Sequence, residues 1–247
     1  MLGKPLIRSS TPIGSWSGPE DCLLTTPEEF AQGLRRVGKP LYAVDHGEAF
    51  ALADSGSVEL GGAPQLHGLP LLALSPPCRP QNFGSASFAS DHGVRFCYLT
   101  GAMANGVGSV ELVEAMGRAR MLAFFGAAGL GPDRVEDAID RISTRLGGLP
   151  WGFNLIHSPY EPLLEDAVAD LYLRRGVTRV SASAYMDLTL PLVRYRLHGI
   201  RSDTSGRVVT PNRLVAKVSR MEVARKFLSP PPSKMLAELV TRGDLSE

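Results

Sequence analysis

MLAFFGAAGLGPDRVEDAIDRISTRLGGLPWGFNLI, residues 121–156, decides the fold. Met121–Phe125 is an apolar run of strand length. Gly131-Pro132 opens a helix, since proline fits the first turn, where its missing N–H has no partner to lose. Val135, Ala138, Ile139, Ile142 and Leu146 then recur at helical spacing and make one apolar face. Trp151–Ile156 is a second apolar run. Strand, helix and strand in immediate succession form a βαβ unit, which lays its strands parallel with the helix outside.

The same texture extends both ways. Upstream, Tyr98–Ala102 reads as a strand, and Ser109 caps a helix carrying Val110, Val113 and Met116 on one face. Downstream, a helix from Glu161 to Arg175 ends in Arg174-Arg175-Gly176, cations and then a glycine cap. Arg179–Ala184 is a strand, and Thr189 to about His198 a helix. After a polar turn at Asp203-Thr204-Ser205-Gly206 come a strand at Leu214–Val218 and a helix at Met221–Leu228. Pro230-Pro231-Pro232 starts a last helix to Arg242. The strands begin at 98, 121, 151, 179 and 214, at intervals of 23, 30, 28 and 35 residues. A complete (β/α)₈ barrel takes ~250 residues, or ~31 per unit. Residues 96–247 hold about five units. The expected fold class is therefore α/β, either a small open sheet or a TIM-type (β/α) barrel truncated after about five βα units.

Residues 1–95 read as an irregular N-terminal α+β subdomain or lid. Thr26-Pro27-Glu28-Glu29 signals a capped helix running to Val37. Leu41–Val44 and Ala49–Leu52 are strand-like, with Asp45-His46-Gly47-Glu48 as the turn between them. Pro-rich and Gly-rich connections lead on to Phe88.

Composition excludes several classes. The net charge of +1 gives no basic field for nucleic acid or a membrane surface. The basic stretch Arg213 to Lys226 alternates with apolar residues and reads as a solvated helix face, with nucleic-acid binding as the alternative. Cys22, Cys78 and Cys97 are odd in number and far apart, which offers neither a disulfide framework nor a thiolate metal site; the implied setting is reducing and cytoplasmic. MLGKPLIRSSTPIGSW, residues 1–16, has no apolar h-region. The longest uncharged run, Leu60 to Cys78, is broken by Pro64, His67, Pro70, Pro76 and Pro77 and cannot span a membrane as a helix.

In parallel α/β structures chemistry sits at the carboxyl ends of the strands. After the first strand come Gly101, Ala102, Met103, Ala104, Asn105 and Gly106, small enough for a flat ligand to reach the backbone, or simply a tight turn. Gly126-Ala127-Ala128-Gly129 poses the same choice. Asn154 sits inside an apolar run and needs hydrogen-bond partners, from local backbone or a heterocycle. His157 is either an acid–base group or structural; Tyr185 either donates a proton or packs. Lys217, in Leu214-Val215-Ala216-Lys217-Val218, must face solvent at a strand end or an anionic ligand, because an unpaired buried lysine is costly. No GxSxG, HExxH, P-loop or paired-carboxylate pattern is present.

Five separated motifs, in order, resemble the PfaD family: Tyr98 to Gly106, Ser109 to Gly117, Phe124 to Gly129, Gly152 to Pro159 and Ala216 to Arg220. The likeness runs from about Gly84 to the last residue. That family comprises flavin-dependent enoyl reductases acting in trans with polyunsaturated fatty acid and polyketide synthases, on a TIM-type barrel similar to that of the nitronate monooxygenases. The resemblance implies FMN as cofactor and NADPH as electron donor. It implies acyl carrier protein and synthase subunits as partners, and a homodimer. Gly101, Ala102, Met103 and Ala104 match the backbone lying against the flavin, Asn154 an FMN contact, and Lys217 the lysine at the pyrimidine side. The family's later Gly-Gly-His motif is absent, so no catalytic histidine is assigned, and the chain is expected to be the N-terminal portion of a longer protein. A nitronate-oxidising flavoenzyme and a non-catalytic docking module of a synthase are the alternatives.

Overall fold

The computed structural model describes residues 11–47, 49–61 and 68–246. Three sequence readings fall at least partly outside them: the start of the chain examined for a leader, the Glu48 end of the 45–48 turn, and residues 62–67 of the proline-broken run. The chain divides into two compact units, Met1–Phe83 and Gly84–Glu247. The boundary read from texture, at 95/96, falls inside the second.

The first unit is more regular than its composition suggests. In order come β1 (Gly14–Ser17), β2 (Leu23–Leu24), α1 (Pro27–Arg35), β3 (Leu41–Asp45), β4 (Phe50–Ala53), β5 (Ser57–Leu60) and β6 (Leu69–Ser75). They form one six-stranded sheet in the order β2-β4-β3-β6-β1-β5, every pair antiparallel. This corrects the irregular connections expected after Leu52. Pro70 lies within β6, a central strand, because pairing with β3 ends at Val44–Leu71 and only β1 flanks it there. The α1 cap is as read: the Thr26 hydroxyl accepts from the Glu29 N–H, and the Glu29 carboxylate accepts from Thr26 N. Trp16 is buried with Val44, Ala51, Ala53 and Leu71, its indole N–H donating to Ser55 O at 2.9 Å. Asp54, buried, accepts from Arg36 at 2.6 Å and Lys39 at 3.2 Å. The Arg36 hydrogen bond, with help from Lys39, holds its carboxyl below the usual aspartate value.

The second unit opens with α2 (Ala86–His92), a helix its polar sequence hid, and then follows the expected alternation. Its elements are β7 (Leu99–Thr100), α3 (Val110–Arg118), β8 (Leu122–Phe125), α4 (Pro132–Leu146), β9 (Gly152–Ile156), α5 (Pro162–Arg174), β10 (Arg179–Ser183), α6 (Leu190–Leu197), β11 (Arg201–Ser202), β12 (Val208–Val209), β13 (Arg213–Ala216), α7 (Met221–Leu228) and α8 (Ser233–Thr241). The polar turn at 203–206 closes the β11–β12 hairpin, the Asp203 carboxylate accepting from Ser205 N and Arg207 N. The main sheet runs β13-β10-β9-β8-β7, all parallel and in sequence order. A doubly wound sheet would reverse direction at its first strand; this one winds one way only, as successive strands of a barrel do.

Single winding gives the sheet two unlike faces. Ala123, Phe125, Phe153, Leu155, Val180 and Ala182 pack outward against Val135, Ile139 and Ile142 of α4, Tyr172 of α5 and Leu192 of α6. The alternate residues face inward. Leu122 and Phe124 meet Val94 and, more loosely, Phe88, Leu99, Ala102 and Val215. By register, Asn154 and Ser181 come next along the inner face, then Ser183.

A buried carboxylate ties the outer layer together near the carboxyl ends of β9 and β10. Glu165 of α5 accepts from Tyr185 at 3.0 Å and from the Thr189 hydroxyl, and bonds His157 Nδ1 at 2.8 Å. With several donors satisfied at once, removing the carboxylate would orphan them all.

Two substitutions test this packing. A Cβ on Gly152 would lie 2.6 Å from both Arg179 O and the Phe124 ring, whereas one on Gly148 meets nothing within 4 Å. Gly152→Ala is expected to lose about 1–3 kcal/mol in urea denaturation, and Gly148→Ala to stay within about 0.5 kcal/mol of wild type. In the first unit, Asp54→Asn is expected to cost about 1–2 kcal/mol at neutral pH, with half-exposed partners limiting the loss. Because the folded pKa of Asp54 is depressed, its contribution is present above the ordinary aspartate value and is lost as pH falls through the lower folded value. The stability gap between wild type and variant should close in that acid range.

Candidate functional site

The residues singled out from the sequence all lie at one end of the main sheet. Gly101–Ala104 follow β7 at one edge, Asn154 is in the central strand β9, and Lys217 follows β13 at the opposite edge. Each edge is two strand spacings, about 10 Å, from β9 along the sheet. The structure therefore places them on a common rim and not in mutual contact.

Around β7 and β8 the small residues first serve loop packing. Gly106 N donates to Gly126 O, Gly126 N to Gly108 O, and Gly108 N to Met103 O, all within 3.0 Å. A Cβ on Gly126 would fall 1.6 Å from Met103 O, so only glycine allows this crossing. Gly101 differs: it is exposed, and a Cβ there would meet nothing within 4 Å. Met103 is 43% exposed, and Ala104 is exposed too. Just before this bare backbone, the Thr100 hydroxyl is buried without a hydrogen-bond partner.

Asn154 is 4% exposed and is held by its own sheet. Its Nδ2 donates to Ser181 O and Ser183 Oγ, both at 2.8 Å, and its backbone carbonyl accepts from the buried Tyr172 hydroxyl at 2.6 Å. Both amide protons are thus committed to β10, which fixes the rotamer and leaves Oδ1 as the remaining acceptor. Asn154 also lines a cleft of ≈ 330 Å³ with Ala128, Gly129, Ile156, Ser158 and Glu161.

Lys217 requires a correction. The apolar pattern puts it inside a strand, but β13 ends at Ala216, and Lys217 is exposed. Its N–H makes the last rung, donating to Ala182 O at 2.9 Å, after which the backbone leaves the sheet. The desolvation cost never arises, because the ammonium stands at the rim, level in register with Ser183.

His157 and Tyr185 are resolved toward packing. The two rings stack at 5.4 Å and both bond Glu165. Burial and the neighbouring carboxylate push the Tyr185 phenol far above its ordinary value, so it stays a neutral donor. Glu165 itself escaped the sequence reading. Its signal was there: it lies four and seven residues before Ala169 and Tyr172, on the buried face of α5. Among the described residues, no group of three His, Cys, Asp or Glu side chains could hold a metal ion. Nor is any helix long and apolar enough to cross a membrane.

No protein-family model matches the chain. Its relatives are nevertheless clear. It is 44% identical over 167 residues to the polyketide biosynthesis protein PksE of Bacillus subtilis, covering 67% of this chain and 22% of that one. It is 42% identical over 171 residues to a polyunsaturated fatty acid synthase protein of Thraustochytrium, covering 69% of this chain and 11% of that protein. Among solved structures it matches the enoyl reductase domain of MlnA, from the macrolactin biosynthesis cluster of Bacillus amyloliquefaciens. There the TM-score is 0.65 at 41% identity, over 66% of this chain and 38% of the other. The chain thus spans only a minor part of each relative's length. Within that span the resemblance carried by the five motifs is borne out: over about two thirds of its residues the chain is a homologue of these PfaD-type, synthase-associated proteins.

Proposed function

We propose that the protein to which this chain belongs is an FMN-dependent enoyl reductase serving a polyunsaturated fatty acid or polyketide synthase, and that the carboxyl rim of the main sheet forms the ring side of its flavin site. The observation that carries the reading is the conjunction, on one rim, of exposed backbone at Gly101, an Asn154 amide locked with its oxygen free, and an exposed lysine at Lys217. It occurs in a chain 41% identical to an enoyl reductase domain.

The residues present fit the edge and face of a planar heterocycle. Gly101 lets such a ring lie against backbone, with Ala102, Met103 and Ala104 continuing the surface. Asn154 Oδ1 accepts from a ring N–H, and the two bonds to β10 spare it any reorganisation. Lys217 supplies positive charge toward the ring's pyrimidine side. When bound, the flavin supplies hydride to the double bond of an enoyl thioester, with NADPH as the source of electrons. His157 and Tyr185 are spent on Glu165, so neither is assigned as proton donor. The thioester is carried by an acyl carrier protein, the synthase subunits are partners, the active species is a cytoplasmic homodimer, and the sheet is the first part of an eight-stranded barrel. These belong to the same proposal.

Purified chain mixed with FMN is expected to retain flavin absorbance through gel filtration. Lys217→Met, at an exposed position, is expected to weaken binding about three- to tenfold, or ~1 kcal/mol, with unchanged circular dichroism. A Lys217→Met variant that binds as wild type would overturn the rim assignment, and a folded chain that retains no flavin would mean that further parts of the protein are required for binding. The substrate class is tested on the whole protein: enoyl thioester reduction is expected, and oxygen-dependent oxidation of an alkyl nitronate instead would refute it.

A further inference from the structure

At the amino ends of β10 and β13, Arg179 and Arg213 of the inner face stand near a third arginine, Arg196 of the outer helix α6, with too little negative charge. Arg179 and Arg213 are register partners on adjacent parallel strands, so their side chains leave the sheet together. Like charges side by side on one sheet face repel. Arg196 of α6 lies close enough for Arg213 to lower its pKa further, after burial, and the same holds for Arg179. Among the described residues, the one ion pair these three make is Arg213 Nη1 with Asp91 Oδ1, at 3.4 Å. Asp91 is itself 55% exposed. Arg179 Nη2 donates to His92 O at 3.1 Å, and Arg196 Nη1 to Asn212 O at 2.6 Å. Those carbonyls satisfy donors without cancelling charge.

Two buried atoms here lack a partner. Arg179 Nε is one, and Nδ1 of His92 is the other. His92 is 8% exposed, its ring set against Phe88 at 4.4 Å. Burial first, and then Arg179 and Arg213, lower its pKa, which keeps the ring neutral and able to offer an N–H. A buried polar atom left unpaired costs about 1–3 kcal/mol, and here two, the Arg179 Nε–H donor and a His92 nitrogen that donates in one of its neutral tautomers, stand beside an unbalanced guanidinium pair. An anion with several acceptor oxygens would meet all of these demands at once.

We propose that Arg179, Arg213 and His92 form an oxyanion site on the inner face of the sheet, taking a carboxylate or phosphate group that locks β10 to β13 and to the end of α2. This site is separate from the flavin rim and does not depend on it. The group can be a free anion or an acidic side chain, and both present the same oxygens.

The test is thermal unfolding of the purified chain in sodium phosphate, sodium sulfate or sodium acetate, each against sodium chloride at equal ionic strength. The expected result is a Tm that rises with the logarithm of oxyanion concentration beyond the chloride control. A larger effect from acetate points to a carboxylate occupant, one from phosphate to a phosphate group. Arg213→Gln, at the more exposed position, is expected to abolish the excess rise while leaving Tm in chloride unchanged or higher, since it relieves repulsion. Arg179→Lys should keep part of it. Equal shifts in oxyanion and chloride would mean simple screening, with water on the orphaned donors, and would overturn the site. So would an oxyanion response that survives in both Arg213→Gln and Arg179→Gln.

Discussion

Everything in the second unit follows from burying one face of a singly wound sheet. Phe125, Phe153, Leu155 and Val180 must lie under α4, α5 and α6, and a side-chain period of two then sends their neighbours the other way. Those neighbours are not interchangeable with core. Asn154, Ser181 and Ser183 are polar, and the Asn154 amide donates across to the Ser181 carbonyl and the Ser183 hydroxyl of β10. Arg179 and Arg213 are charged. A one-residue slip of β9 would put Asn154 among the helices and Phe153 on the inner face, so the outer core fixes the register that aims the polar set.

That polar set is graded along the strands. Arg179 and Arg213 pair at the amino ends, Asn154, Ser181 and Val215 share the next inward-facing level, and Ser183 and Lys217 stand at the carboxyl rim. The Glu165 cluster has a quieter part. By anchoring His157, Tyr185 and Thr189 it sets where the loops after β9 and β10 leave the sheet, and so the shape of the cleft that Asn154 lines.

The second unit was largely legible because helical spacing at Val135 to Leu146 and capping at Ser109 and Thr189 are local signals that its packing reinforces. Strand ends were less so. Lys217 reads as part of β13 because Val218 follows it, and nothing local shows that the ladder stops at Ala216. The first unit resisted more. β1 and β5 are short, β1 begins on glycine and β6 carries Pro70, and all three acquire partners only through long-range antiparallel pairing, as between Trp16 and Leu69. The small residues after β7 and β8 could be read as turn or ligand contact. Structure separates them, Gly126 being required by a backbone crossing and Gly101 by nothing in the protein itself. Glu165 was missed because a glutamate in an amphipathic helix is usually solvated, and only its place opposite Tyr185 reveals its role.

The two tryptophans are divided between the units. Trp16 is sealed in the core of the antiparallel sheet, its indole bonded to Ser55 O. Trp151 is partly buried at the start of β9, edge-on to Phe153 at 5.9 Å with its indole reaching Gly147 O. Each unit thus contains one tryptophan in a distinct environment, the first dry and the second at a helix–strand junction. Replacing either tryptophan with phenylalanine leaves a single-colour probe of the other unit. Whether the two halves of the chain melt together or in succession can then be followed by ultraviolet emission, with no label attached.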